Sequence, residues 1–325
     1  MQDFSGKIAV ITGGGTGMGR ELARQLVAQG CHVAMCDVSA ETMAATKAMC
    51  AAEAPQGTRV VTFVADVSDE AAVTAFRDHV AKSLETDHIH LLFNNAGIGG
   101  GGSFVTGERA EWERTFNVCW GGVYNGTRAF LPMLIAAEAA HIVNTSSVNG
   151  FWASLGPGVA HTAYPAAKFA VKGFTEALIT DLRMHAPHVK CSVVMPGHIG
   201  TEIVTNSRKI LGGSEVFGVS ALAQARKTLA ARGVDTASLS DADIEAIGAE
   251  MARRFRDDAP TTAAQAATII LDGVKAERWR ILVGADAGRI DELVRADPEN
   301  AYEAEFYQRL LEAAGWRLNP AAPPS

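Results

Sequence analysis

Cysteine is scarce and scattered. The five thiols, Cys31, Cys36, Cys50, Cys119 and Cys191, are odd in number and include no C-x-x-C pair, which argues against a disulfide framework or a cysteine zinc site and fits a reducing cytoplasm. A long apolar run is also missing. The opening MQDFSGKIAVITGG carries charge at Asp3 and Lys7 and only a five-residue apolar run before its glycines, too short for a signal-peptide core or a membrane span. Basic residues are not in excess: Lys plus Arg number 29 against 36 for Asp plus Glu, a net charge of −7, so neither nucleic acid nor a membrane is an expected partner. His161 and His198 belong to no H-x-x-x-H pair or carboxylate cluster, and no metal is expected. No internal repeat is visible, and no low-complexity stretch interrupts the first 200 residues. What remains is ordinary globular material, 48% hydrophobic and 20% charged over 325 residues, enough for a sizeable core.

Short apolar, β-rich runs recur at Lys7 to Thr12, His32 to Asp37, Arg59 to Asp66, Ile89 to Asn94, His141 to Ser146, Lys190 to Met195 and Arg280 to Val283, with helical stretches between them. Their near-continuous apolarity implies strands buried on both faces. The pattern predicts an α/β fold, a doubly wound (Rossmann) parallel sheet of about seven strands with helices on both faces. A first helix from about Met18 to Gln29 carries Leu22, Leu26 and Val27 on one stripe and stops at Gly30. From Glu202 to about Arg256 the strand rhythm breaks into a polar, Gly-punctuated, helical insertion, expected as a lid at the carboxyl edge of the sheet, with Phe217 helping to close it. Ile290, Leu293, Val294, Phe306, Tyr307, Leu310 and Leu311 then recur at helical spacing before the Pro-rich NPAAPPS end. Those helices are expected to pack on the domain or on a second subunit. The expected organisation is one Rossmann-type domain over 1–285, including the insertion 202–256, followed by a helical extension over 286–325.

After the first strand stands TGGGTGMG, which fits no register of G-x-G-x-x-G but places Gly13, Gly17 and Gly19 as G-x-x-x-G-x-G between a strand and a helix. Glycines there let backbone N–H groups approach a pyrophosphate, and the helix N-terminus adds partial positive charge. The bland alternative is a merely flexible turn. Asp37 ends the second strand, 20 residues after Gly17, where a carboxylate can accept both hydroxyls of an adenosine ribose and would repel a 2′-phosphate. Neither Thr16 nor Val38 supplies a cation to offset that repulsion, so NAD is favoured over NADP. Asp37 could instead cap the next turn. Asp66 has two open readings, an adenine contact or a helix N-cap with Ser68.

Tyr164 and Lys168 stand at i and i+4 at the start of a helical run, with Pro165 in its first turn, and so project from one face. At about 4 to 5 Å and an effective dielectric of 20, an ammonium would stabilise a phenolate by roughly 3 to 4 kcal/mol before desolvation, or about two pKa units. The expectation is therefore an acidified phenol serving as a base near neutral pH. Such a pair is also common as solvated helix decoration.

Ordered along the chain are TGGGTGMG, NNAG at Asn94 to Gly97, Asn117 in a helix, SSVNG at Ser146 to Gly150, Tyr164-Pro-Ala-Ala-Lys168 and PGHIGT at Pro196 to Thr201. In these motifs the chain resembles the short-chain dehydrogenase/reductase family, closely over residues 4 to 201 and loosely to Gly284. The resemblance implies an NAD-dependent alcohol dehydrogenase in which Tyr164 exchanges a proton with the substrate oxygen and Lys168 tunes it while bonding the nicotinamide ribose. It implies that Ser147, three before Gly150, rather than Ser146, bonds the substrate oxygen, and that Asn117 holds a water in a proton relay through Lys168. Asn95 would steady the strand beside the cofactor, and Ile199 and Thr201 would meet its carboxamide and phosphates. Cofactor contacts are further implied at Gly13, Thr16, Gly17, Met18, Gly19, Asp37, Asp66, Val67, Gly97, Pro196 and Gly197.

Two features depart from the family. Ser147 and Tyr164 are 17 positions apart, wider than usual, with Phe151, Trp152, Leu155 and His161 in the enlarged loop. The common acidic-glycine ending after the last strand is missing, which puts the usual tetramer contact in doubt and leaves a homodimer through the Asn117 and Tyr164 helices as well as a tetramer. Trp152, Leu155, His161 and His198 are expected to line a substrate pocket for a hydrophobic secondary alcohol or ketone, though the aromatics could equally be core. With NAD favoured, alcohol oxidation is the expected direction. The competing readings are an NADPH-dependent carbonyl reductase and an NAD-binding interaction protein without chemistry.

Overall fold

The computed structural model of the chain describes residues 1–212, 219–231 and 234–316. The strands are β1 (Ile8–Thr12), β2 (His32–Asp37), β3 (Val60–Val64), β4 (Leu91–Asn94), β5 (Ala140–Thr145), β6 (Val189–Pro196), β7 (Ile199–Gly200), β8 (Thr261–Thr262) and β9 (Arg280–Val283). The helices are α1 (Gly17–Ala28), α2 (Ala40–Glu53), α3 (Glu70–Leu84), α4 (Arg109–Phe116), α5 (Gly122–Ile135), α6 (Ala163–His185), α7 (Ile203–Ile210), α8 (Val219–Ala231), α9 (Asp241–Asp257), α10 (Ala263–Lys275), α11 (Ala285–Ala296) and α12 (Ala304–Ala314).

Seven strands form one sheet in the order β3-β2-β1-β4-β5-β6-β9, and every pairing is parallel. β1, β4 and β5 are buried at every residue, as central strands covered on both faces must be. β3 departs from that expectation: it is the sheet edge, only partly buried, with Val64 exposed. One apolar layer joins Phe76 and Val80 of α3, Phe130 and Leu134 of α5, and Leu178 and Leu182 of α6. The opposite layer joins Leu22 and Leu26 of α1 with Ile270, Leu271 and Val274 of α10. Gly30, at φ +79°, follows the end of α1, in a left-handed conformation that ends a helix without the cost of a Cβ.

The order reverses between β1 and β4, the place where open α/β sheets leave a crevice at their carboxyl ends. β7 pairs with β8, so the insertion leaves and rejoins the body through one small parallel ladder. Of its helices, α7 reaches the crevice, while α9 packs on α7, α8 and β7. Phe217, expected to help close a pocket, lies outside the described residues. The C-terminal helices form a third apolar cluster in which Phe306, Leu310 and Ala314 meet Ile290, Val148 and Trp152. They therefore cover this chain's own enlarged loop. Among the described residues no helix is long and apolar enough to cross a membrane.

Candidate active site

A cleft of about 430 Å³ opens at the crevice. The glycine turn lies along it. Gly13 has φ +69°, and a Cβ there would come within 2.8 Å of the Ala96 backbone. Gly19 does not line the cleft; a Cβ on it would fall 2.0 Å from the Gly13 carbonyl, so this glycine lets the helix pack onto its own turn. Thr16, Gly17 and Met18 line the cleft with Asp37, Asp66, Val67, Asn95, Gly97 and Thr201. Pro196, Gly197 and Ile199 are not on its wall: Ile199 is buried and paired to Thr261.

Each Asp37 carboxylate oxygen accepts one backbone hydrogen bond, Oδ2 from Gly15 at 3.0 Å and Oδ1 from Ser39 at 3.1 Å. A carboxylate has about four acceptor positions, so capacity remains for the two hydroxyls of a ribose. Turn capping at this residue therefore leaves room for a ribose. Asp66 accepts from the Ser68 N–H and hydroxyl and pairs with Arg114 at 2.7 Å. Its helix-cap reading is corrected, because Asp69 caps α3. Asn95 donates to the Thr12 carbonyl at 3.2 Å, stitching β1 to β4, and its Oδ1 is buried without a partner. An orphaned acceptor, a glycine turn that admits close approach and an acidic strand end fit a nicotinamide dinucleotide.

Off the cleft wall, the enlarged loop brings Ser147 to Tyr164. The Ser147 side chain adjoins the phenol and accepts from the Asn149 N–H at 3.1 Å. Ser146 instead donates to the Lys168 carbonyl at 2.7 Å, which ties β5 to α6. The Lys168 ammonium lies 5.3 Å from the centre of the Tyr164 ring and donates to the Thr145 carbonyl at 2.8 Å. It lies behind Gly97 of the cleft wall, where a Cβ would come within 3.5 Å of Nζ, and none of Ser147, Tyr164 and Lys168 is itself on that wall.

The expected acidification of the phenol does not hold in the chain alone. Burial, reinforced by the neighbouring Cys119, pushes Tyr164 above its ordinary value of 10, against the opposing effect of the adjoining Ser147 hydroxyl. Burial likewise pushes the Lys168 ammonium below its ordinary range. Desolvation outweighs the pairing that spacing alone suggests, because it disfavours both charged forms.

Asn117 is also corrected. A π-turn over Asn117–Gly121 joins α4 to α5, and a π-turn inserts an extra residue and rotates the helix face. Asn117 is exposed and lies off the cleft wall, while Val118 lines it. The inward position belongs to Cys119, fully buried, whose thiol donates to the Ile98 carbonyl at 3.2 Å. Sequence spacing gave no sign of this shift. Ser39, Thr42, Arg114, Asn206 and Lys209 are further cleft residues missed in sequence. Asn206 of α7 reaches across to donate to the Thr16 hydroxyl at 3.0 Å.

The substrate side differs most from expectation. Trp152 is core: it is 1% exposed, donates to the Ala301 carbonyl at 2.7 Å and stacks on Tyr307. His198 is buried behind the site, its Nε2 donating to the Phe255 carbonyl at 2.7 Å. Leu155 is half-buried in the loop. His161 does lie beside the phenol, with ring centres 5.3 Å apart, and burial lowers its pKa to about 4, so it is neutral at pH 7.

A family model described as short chain dehydrogenase matches residues 7–211. SadH of Mycobacterium tuberculosis is 35% identical over 323 residues, 99% of this chain and all of that protein. The crystal structure of a short chain dehydrogenase/reductase from Burkholderia phymatum in complex with NAD is 30% identical, with TM-score 0.72 and complete coverage of both chains. A metagenomic short-chain oxidoreductase in complex with NADP is 33% identical over 60% of this chain and 83% of its own, with TM-score 0.53.

Proposed function

The chain belongs to the short-chain dehydrogenase/reductase family, and on that premise we propose that it interconverts a hydrophobic secondary alcohol and its ketone with NAD, running chiefly toward the ketone. One observation carries this reading: Ser147 and Lys168 both adjoin Tyr164, and Lys168 lies against Gly97, which lines a cleft that also holds Asp37. The glycine turn, Asp37, Asn95, Gly97 and Thr201 would hold the dinucleotide, with the α1 N-terminus toward its pyrophosphate. When bound, that group supplies the hydride acceptor at its nicotinamide ring. The Ser147 hydroxyl and the Tyr164 oxygen would bracket the substrate oxygen, and Tyr164, as the phenolate that bound positive charge favours, would take the hydroxyl proton as the carbonyl forms. Lys168, fixed by the Thr145 carbonyl, holds positive charge beside that phenol. Ile98, Val118, Ile203 and Ile210 make the cleft walls apolar, which supports a hydrophobic substrate, such as an aryl, terpenoid or steroid-like alcohol.

Relatives were solved with either cofactor, so in this chain the discrimination rests on Asp37. Exposed Tyr124 and Phe169 on α5 and α6, next to half-buried Trp120 and Phe174, support a homo-oligomer through that face. Five buried, unpaired cysteines are in keeping with a cytoplasmic setting.

A panel of secondary alcohols offered with NAD⁺ or NADP⁺, followed by absorbance of the reduced nicotinamide, tests this function. We expect kcat/KM to favour NAD⁺ by about tenfold or more, the size of one charge-assisted hydrogen bond. A clear NADP⁺ preference would contradict the role given to Asp37. NADH binding without turnover of any alcohol or ketone would reduce the chain to a dinucleotide-binding protein.

A further inference from the structure

Residue 286 stands in the first turn of α11, just past the last strand of the sheet. Asp286 is 2% exposed, and its Oδ2 accepts both the His198 backbone N–H at 2.6 Å and the Trp316 indole N–H at 2.8 Å. Its Oδ1 is buried with no partner. The approach is close enough to dictate sequence: a Cβ on Gly197 would fall 2.2 Å from Oδ2, so only glycine at 197 admits the carboxylate to the following peptide. The His198 ring is gripped from two more directions, with Phe255 of α9 at 4.4 Å and Trp316 at 6.4 Å between ring centres. Three separate parts of the chain therefore converge on the turn that follows β6.

That turn lies on the Ser147 side of the sheet and runs on into the cleft wall. β6 pairs with β5, whose carboxyl end carries Ser147, and it is four places along the sheet from β2, which carries Asp37. The segment runs on to Thr201, which lines the cleft and packs on the glycine turn, 3.1 Å from a Cβ position at Gly17. Given a nicotinamide dinucleotide in the cleft, as proposed above, we infer that Asp286 is a positioning residue. Anchored by Trp316, it sets the 196–201 segment against the nicotinamide half, so the C-terminal helices take part in cofactor binding without lining the cleft.

The test uses the full chain, with Trp316→Phe, which keeps a ring and removes the N–H, and Asp286→Asn, which neutralises the acceptor. NADH binding is read by nicotinamide fluorescence and ADP-ribose binding by calorimetry, since ADP-ribose keeps the adenosine half and lacks the nicotinamide. Both variants are expected to weaken NADH by about fivefold to tenfold, the range of one lost hydrogen bond, and to leave ADP-ribose within about twofold. Equal weakening of both ligands, or of neither, in folded Trp316→Phe would overturn the inference. General loosening of the fold cannot produce a loss confined to the nicotinamide half. Wild-type protein that binds ADP-ribose and not NADH would overturn the functional reading, and this inference with it.

Discussion

Tyr164→Phe is expected to lower kcat for alcohol oxidation by about 10²- to 10⁴-fold, the usual contribution of a positioned acid/base group, while NADH affinity changes by no more than a few-fold. The substitution deletes one oxygen and leaves the ring where it is, stacked on His161 and packed against the layer that includes Cys119 and Val118. It removes the proton acceptor and leaves Ser147 to hold the substrate oxygen alone. Steady-state kinetics with a turned-over alcohol, beside a fluorescence titration with NADH, separates the two effects. A large loss of NADH binding with kcat nearly intact would mean that Tyr164 is a cofactor anchor and the proton moves elsewhere.

Trp152→Ala is expected to cost about 3 to 5 kcal/mol of stability, the range for truncating a large buried aromatic. The indole is fully enclosed between the enlarged loop and α12, where Phe306 and Tyr307 meet its faces and the Ala301 carbonyl takes its N–H. Tyr307 also presses on the loop at Gly156, where a Cβ would come within 2.4 Å of the phenol ring. Equilibrium denaturation of the variant checks the number. Stability near wild type with a raised substrate KM would instead return Trp152 to the pocket wall.

Strand positions, the glycine turn, Asp37 and the Tyr164–Lys168 pair are written in local pattern, and local pattern is what a sequence displays. β2 and β9 coincide with the expected runs, and the first helix closes at Gly30 as its composition implies. The misreadings have a common physical origin in contacts that no local pattern carries. Trp152 is enclosed by residues some 150 positions away. Asp286 and Trp316 reach His198 from beyond the last strand. Within the π-turn the inward positions are Val118 and Cys119 and not Asn117. Most consequential is Tyr164: spacing reveals its cationic neighbour, but the partial burial of the phenol and the full burial of Lys168 arise only in the fold.

A half-buried phenol that stays neutral until positive charge arrives can be observed directly, because the chain has four tyrosines. The measurement is an ultraviolet titration of tyrosinate absorbance, taken as the difference between wild type and Tyr164→Phe, with and without saturating NAD⁺. Without NAD⁺, Tyr164 should ionise above its ordinary value of 10. With NAD⁺ bound it should fall, by roughly two pKa units if the added positive charge acts from about 5 Å at an effective dielectric of 20. A Tyr164 that ionises below 10 in the free chain, or whose ionisation is unmoved by NAD⁺, would contradict its assignment as the acid/base that the bound cofactor switches on.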